Sequence, residues 1–279
     1  MRIGSSATAL AALLSTSAVS AQTAPAPEPI RASKIILVGD STVQANSGWG
    51  GAFCAYHVTS FAACVNLARG GRSTSNYRAE GSWDLALAEM KTPGFVRTYV
   101  LIGFGHNDQP GKPGRSTDLA TEFPSNMTRY VAEIRAAGAI PVLFTPLTRR
   151  QFKDGRLVRD LDPWAAAIRS VAAETKTPVI DVHSVSSEAV QTMGPVAANR
   201  FAQVPPPPEV QAAAAKGTTI PATKTETVVQ PGGGGPQWGD RKLAFDYTHL
   251  GREGADYFAK QVVDALGEQV PEMRPLLIR

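Results

Sequence analysis

Three side chains spread along the 279-residue chain have the types needed to open an ester: Ser41, Asp246 and His249. Cleaving an acyl bond through a serine requires a base for the hydroxyl proton, a group that orients the base, and donors for the oxyanion. Asp246 and His249 stand three residues apart in Asp246-Tyr247-Thr248-His249. In a tight turn that spacing lets the carboxylate accept from the ring Nδ1–H while Nε2 faces Ser41. The Ser41 backbone N–H, an N–H of the loop Arg69-Gly70-Gly71-Arg72-Ser73, and the Asn107 side-chain amide are the candidate oxyanion donors. Each such donor typically lowers a barrier by ~3 kcal/mol. The base works only as a neutral imidazole, so activity is expected to rise through roughly pH 6–7. An isolated Gly39-Asp40-Ser41-Thr42 is more often a helix cap; its partners elsewhere in the chain give it a chemical reading.

The elements that must position these groups follow an alternating pattern. Lys34 to Val38 reads as a buried strand that delivers Ser41 to a sharp turn at the start of a helix, Gly48 to Val58. Phe61–Leu67, Val96–Ile102, Ile140–Phe144 and Pro178–Val182 read as further strands. Helical patterns cover Ser82–Met90, about Asp118–Ala137 with Pro124 near its start, a segment opened by Asp162-Pro163, Ser184–Met193, and Arg252–Leu266. Strands alternating with helices imply a parallel sheet covered on both faces, an α/β fold. The candidate residues fall just after strands or in loops, where such a sheet collects its ligands. His57, on a helix, and His183, closing a strand, read as structural, whereas His106 adjoins Asn107 and is a candidate for shaping the site.

Composition limits the rest. A formal charge of +4 with no dense Lys/Arg block argues against nucleic acid, and no apolar run approaches the ~20 residues of a membrane span. Residues 1–21 have the positive start, short apolar stretch and small-residue ending of a signal peptide, with cleavage after Ala21 and a periplasmic or secreted destination. Residues 22–33 read as a flexible leader. One domain is expected from 34–201 and 238–270, interrupted by a Pro/Ala/Gly-rich insertion, 202–237, too poor in large apolar side chains to order itself. Its Gly232 to Gly235 run lacks the context of a phosphate loop. Cys54 and Cys64 are either bridged, as an oxidising compartment favours, or two free buried thiols. No Cys/His cluster has zinc spacing.

Four blocks, Gly39-Asp40-Ser41-Thr42, Gly70-Gly71-Arg72-Ser73, Gly105-His106-Asn107-Asp108 and Asp246-Tyr247-Thr248-His249, occur in the order of those of SGNH hydrolases. Gly71-Arg72-Ser73-Thr74-Ser75 with Glu80-Gly81-Ser82-Trp83, and Gly138-Ala139-Ile140-Pro141-Val142 with Thr145-Pro146, resemble the rhamnogalacturonan acetylesterase branch in particular. The resemblance spans roughly Lys34 to Met193 and Phe245 to Leu266. It implies a three-layer, flavodoxin-like five-stranded parallel sheet and removal of acetyl groups from carbohydrate without a metal or other cofactor. It also implies Ser41 as nucleophile, Asp246 and His249 as its partners, and Asn107 and Gly71 as oxyanion donors, the doubled Gly70-Gly71 leaving a one-residue ambiguity. The substrate implied is an acetylated polysaccharide or oligosaccharide, and the chain is expected to act as a monomer.

Trp49, Arg72, Tyr77, Arg78, His106 and Gln109 are candidates for holding sugar, since aromatics stack on sugar faces and arginine forks onto uronic carboxylates. Acetyl-xylan or a small acetylated molecule would suit the same machinery. Two readings of other classes stay open. Asp40, Asn107, Asp108, Asp246 and His249 are ligand types of a metal-dependent phosphoesterase, and an inactivated scaffold could serve as a glycan-binding module.

Overall fold

The computed structural model describes residues 32–221, 226–229 and 241–279. The signal-peptide and leader readings up to residue 31, and the Gly232 to Gly235 run, lie outside the described residues. In chain order the elements begin with β1 (Ser33–Val38), α1 (Gly50–Tyr56), β2 (Ala62–Asn66), α2 (Asn76–Ala79), α3 (Ser82–Met90) and β3 (Thr98–Ile102). There follow α4 (Glu122–Ala136), β4 (Ile140–Phe144), a small hairpin of β5 (Phe152–Lys153) and β6 (Arg156–Leu157), α5 (Asp162–Thr175) and β7 (Val179–Ile180). The last are α6 (Val182–Ala198), α7 (Pro208–Ala215), a second hairpin of β8 (Glu226–Val229) and β9 (Arg241–Ala244), and α8 (Arg252–Gln269).

Five strands form one parallel sheet in the order β2-β1-β3-β4-β7, the flavodoxin-like arrangement expected. Because side chains alternate across a strand, each central strand feeds two cores. Ile35, Leu37, Tyr99, Leu101, Val142 and Phe144 pack on one face with Phe53 of α1 and Phe258, Val262 and Leu266 of α8. Ile36, Val38, Val100, Ile102 and Leu143 pack on the other with Trp83 of α3, Met127 and Ile134 of α4, and Ile168 of α5. Continuous burial explains why these strands read as unbroken aliphatic runs.

Local chemistry sets the ends. α4 starts at Glu122, later than the hydrophobic pattern suggests, because Asp118 Oδ1 accepts from the N–H groups of Ala120 and Thr121 and fixes a turn ahead of it. Pro124 then sits in the first helical turn, where its missing N–H is not needed. Asp162 is the first residue of α5 rather than its cap, and its carboxylate bonds Arg159 and His183 instead. Cys54 and Cys64 form a disulfide tying α1 to β2.

The expectation of a loosely held insertion is corrected over its described part. Residues 202–221 contain α7, whose Val210 and Ala214 are buried, and Thr219 N–H donates to Phe152 O at 2.9 Å. Ala202 and Val210 share a small core with Phe245 and Tyr247. The segment orders because its apolar partners come from outside it, which its own composition does not reveal.

Candidate active site

Ser41 sits in a turn at the carboxyl end of β1. Asp40 Oδ1 accepts from both the N–H and the hydroxyl of Thr42 at 2.8 Å, and Asp40 O accepts from Val43 and Gln44 N–H. Gly39 is required there: a Cβ would lie 2.9 Å from Gly103 O and from a Val43 methyl. Helix α1 begins only at Gly50, so Ser41 belongs to this separate turn and not, as the sequence suggests, to the start of the helix.

The two distant halves meet through Ser47. Its hydroxyl donates to Ser41 O at 2.7 Å, and its carbonyl accepts from Leu250 N–H at 2.8 Å. Asp246 Oδ1 accepts from the N–H groups of Thr248 and His249 at 2.7 Å each, and Oδ2 accepts from His249 Nδ1 at 2.7 Å. That bond fixes the tautomer, so Nε2 is the acceptor for the Ser41 hydroxyl, 2.8 Å away across 208 positions of sequence. Burial pushes the Asp246 carboxyl up, but bonds from His249 and the turn N–H groups outweigh it and hold it below its usual range.

Arg150 supports this turn from behind, and no sequence motif marks it. It is fully buried; its guanidinium donates to the carbonyls of Asp246 at 3.0 Å, Thr248 at 3.3 Å and His249 at 2.9 Å. Its backbone N–H donates to Tyr247 O. Burial lowers its pKa to about 10, still far above neutrality, so the clamp remains a cation. A buried arginine 96 residues before Asp246 becomes visible only once tertiary structure pairs them.

On the other side of Ser41 lies the glycine loop. A Cβ at Gly70 would stand 3.6 Å from Ser41 Cβ, so the loop backbone passes beside the Ser41 side chain. Gly71 takes a left-handed φ of +77°. Asn107 Nδ2 donates to Arg72 O at 3.0 Å, which places its amide against the same loop. Asp108 locks the two together, its Oδ1 accepting from Thr74 N–H at 3.0 Å, Thr74 Oγ1 at 2.6 Å and Thr117 Oγ1 at 2.9 Å. Burial dominates at Asp108 and raises its carboxyl to about 6 despite those bonds.

Several expected sugar contacts are corrected. Trp49 is 1% exposed and packs edge-on against Phe53 and Phe144. Tyr77 is buried and donates its hydroxyl to Leu67 O. Arg78 pairs with Glu133 at 2.8 Å and lies over the Tyr130 ring, 4.5 Å from its centroid. His106 is buried beneath the site, Nδ1 facing Asp40 Oδ2 at 3.5 Å. Arg72 and Gln109 remain partly exposed but are engaged, Arg72 with Glu80 and Gln109 with Arg149 and Asp160. Of the other histidines, His183 is buried between Asp162 and Pro146 O, and His57 Nδ1 donates to Ile278 O at 3.0 Å. Among the described residues, no three His, Cys, Asp or Glu side chains converge as metal ligands would, and no helix is long and apolar enough to cross a membrane.

Residues 37–197 match the GDSL-like Lipase/Acylhydrolase family. The chain belongs to that family. Among curated proteins, this GDSL-like chain is 32% identical over 157 residues to the probable rhamnogalacturonan acetylesterase YesY of Bacillus subtilis, covering 54% of this chain and 70% of the relative. It is 35% identical over 177 residues to the rhamnogalacturonan acetylesterase RhgT of the same organism, covering 60% and 72%. Two solved structures share its fold. The protein YxiM of Bacillus subtilis has a TM-score of 0.59 at 23% identity, covering 87% of this chain and 58% of that one. The acetylxylan esterase Axe2 of Geobacillus stearothermophilus has a TM-score of 0.52 at 16% identity, covering 85% and 95%.

Proposed function

We propose that this GDSL-like hydrolase is a carbohydrate acetylesterase that removes O-acetyl groups from a cell-wall polysaccharide, with pectin rhamnogalacturonan as first candidate, through a covalent acyl-enzyme. The observation that carries the reading is the unbroken line Asp246–His249–Ser41, with contacts of 2.7 and 2.8 Å. The names of the two Bacillus relatives support the substrate class.

In this reading the Ser41 oxygen attacks the acetyl carbonyl as His249 Nε2 takes its proton, and Asp246 stabilises the imidazolium. The N–H groups of Ser41 and Gly71 and the Asn107 amide receive the charge on the carbonyl oxygen. Collapse breaks the C–O bond to the sugar, whose oxygen takes the proton back from His249. Water, deprotonated by the same imidazole, then releases acetate and restores Ser41. The N-terminal signal pattern supports export, and the Cys54–Cys64 bond is consistent with an oxidising destination.

The test is acetate release measured in parallel on acetylated pectin, acetyl-xylan and acetylated peptidoglycan, with EDTA present and absent. The expected result is fastest release from pectin and indifference to EDTA. Faster release from acetyl-xylan would move the substrate assignment within the class; phosphoesterase activity abolished by EDTA would overturn the class itself.

A further inference from the structure

Most of the cations around the site are already neutralised. Arg72 pairs with Glu80 at 2.7 Å, Arg78 with Glu133 at 2.8 Å, and Arg149 with Asp160. Arg115 and Lys112 differ. Among the described residues neither forms an ion pair, although both are half-buried. The Arg115 guanidinium bonds Asn107 Oδ1 at 3.5 Å and overhangs the glycine loop, where a Cβ at Gly71 would lie 3.4 Å from its Nη1. Lys112 Nζ donates to His106 O, and among the described residues its other two N–H groups have no partner.

Burial first, and then the charges of Arg149 and Arg115, lower the pKa of the Lys112 ammonium. Asp40 and Asp160 act on Lys112 in the opposite sense from a distance, with Asp40 Oδ1 bonded to Thr42 and Asp160 Oδ2 to Arg149 and Gln109. Like charges without a direct ion-pair partner, partly desolvated beside a reactive site, are the pattern expected where an anionic ligand binds.

Resting on the esterase reading above, we propose that Arg115 and Lys112 form a carboxylate-binding subsite on the Asn107 side of Ser41. The preferred ester is then one borne on, or next to, a uronic acid residue. The sequence directs attention to Arg72 and Arg78 for this task; their bonds to Glu80 and Glu133 leave it to Arg115 and Lys112. Arg115 has the planar fork that grips a carboxylate with two parallel bonds, and Lys112 adds a point charge.

The experiment compares kcat/KM on an acetylated oligogalacturonide with that on a neutral acetylated xylo-oligosaccharide, for the wild type, Arg115→Gln, Arg115→Lys and Lys112→Gln. Loss of a charged hydrogen bond is expected to lower the uronate-to-neutral ratio about tenfold or more in Arg115→Gln. The ratio should fall less in Arg115→Lys, which keeps the charge. In the wild type, about 0.5 M NaCl should compress the ratio. Free galacturonate should inhibit the wild type more strongly than free galactose does, and Arg115→Gln should remove that difference.

A ratio within about twofold of wild type in both glutamine variants, with galacturonate no better an inhibitor than galactose, would overturn the subsite. So would a proportional loss on both substrates in Arg115→Gln, since Arg115 would then act through Asn107. Absence of acetate from either substrate with the wild type would instead overturn the esterase reading.

Discussion

The turn Asp246–His249 and the stretch from Trp49 to Arg78 both carry residues whose types suggest chemistry, and the fold treats them in opposite ways. In the turn, backbone groups are satisfied from below by Arg150, while the side chains of Asp246 and His249 stay 42% and 34% accessible. In the stretch, Trp49 and Tyr77 go into the two cores and Arg78 is spent on Glu133. A polar group becomes available for reaction where other atoms hold its backbone. An aromatic or arginine becomes structural where the nearby core has room for it.

The sharpest way to break this comparison is to remove members of the line itself. Ser41→Ala and His249→Ala are each expected to lower kcat on p-nitrophenyl acetate by roughly 10³-fold or more. Near-normal turnover in Ser41→Ala would erase the distinction between the two regions. Trp49→Ala, in the other region, should cost about 3–5 kcal/mol of stability through cavity formation, read as a fall in Tm. A rise in KM for polysaccharide with Tm unchanged would return Trp49 to the sugar-binding role that its burial denies.

A smaller effect sharpens the picture at Asp108, which joins the glycine loop to Asn107. Burial pushes its folded carboxyl up to about 6, well above the ordinary aspartate range. The folded state therefore binds a proton that the unfolded chain lacks, and this contribution is present at low pH and lost as pH rises through 6. Relative to Asp108→Asn, the wild type should gain about 2 kcal/mol between pH 8 and pH 4, measured by urea unfolding. No convergence of the two stability curves would mean that Asp108 is not held in a desolvated site.

What the sequence revealed and what it concealed follows the same physics. The aliphatic runs of β1, β3 and β4 announce buried parallel strands because both faces are covered. Ser41, Asn107, Asp246 and His249 stand out as candidates because they sit in short motifs in loops after strands, where local spacing carries the information. Arg150 was invisible because its partners lie nearly a hundred positions away and are backbone carbonyls, which leave no residue signature. The order of the α7 segment does not show in its own composition because its apolar partners, Phe245 and Tyr247, come from another part of the chain. The burial of Trp49 and Tyr77 is not legible in sequence because amphipathic side chains suit a rim and a core equally well, and only packing decides.

The most direct test of the central claim is covalent labelling with a fluorophosphonate, followed by peptide mass spectrometry of the wild type and of His249→Ala. One label per chain on Ser41 is expected, with labelling strongly slowed when the imidazole is removed. A label on another residue, or equally fast labelling of Ser41 without His249, would contradict the line from Asp246 through His249 to Ser41.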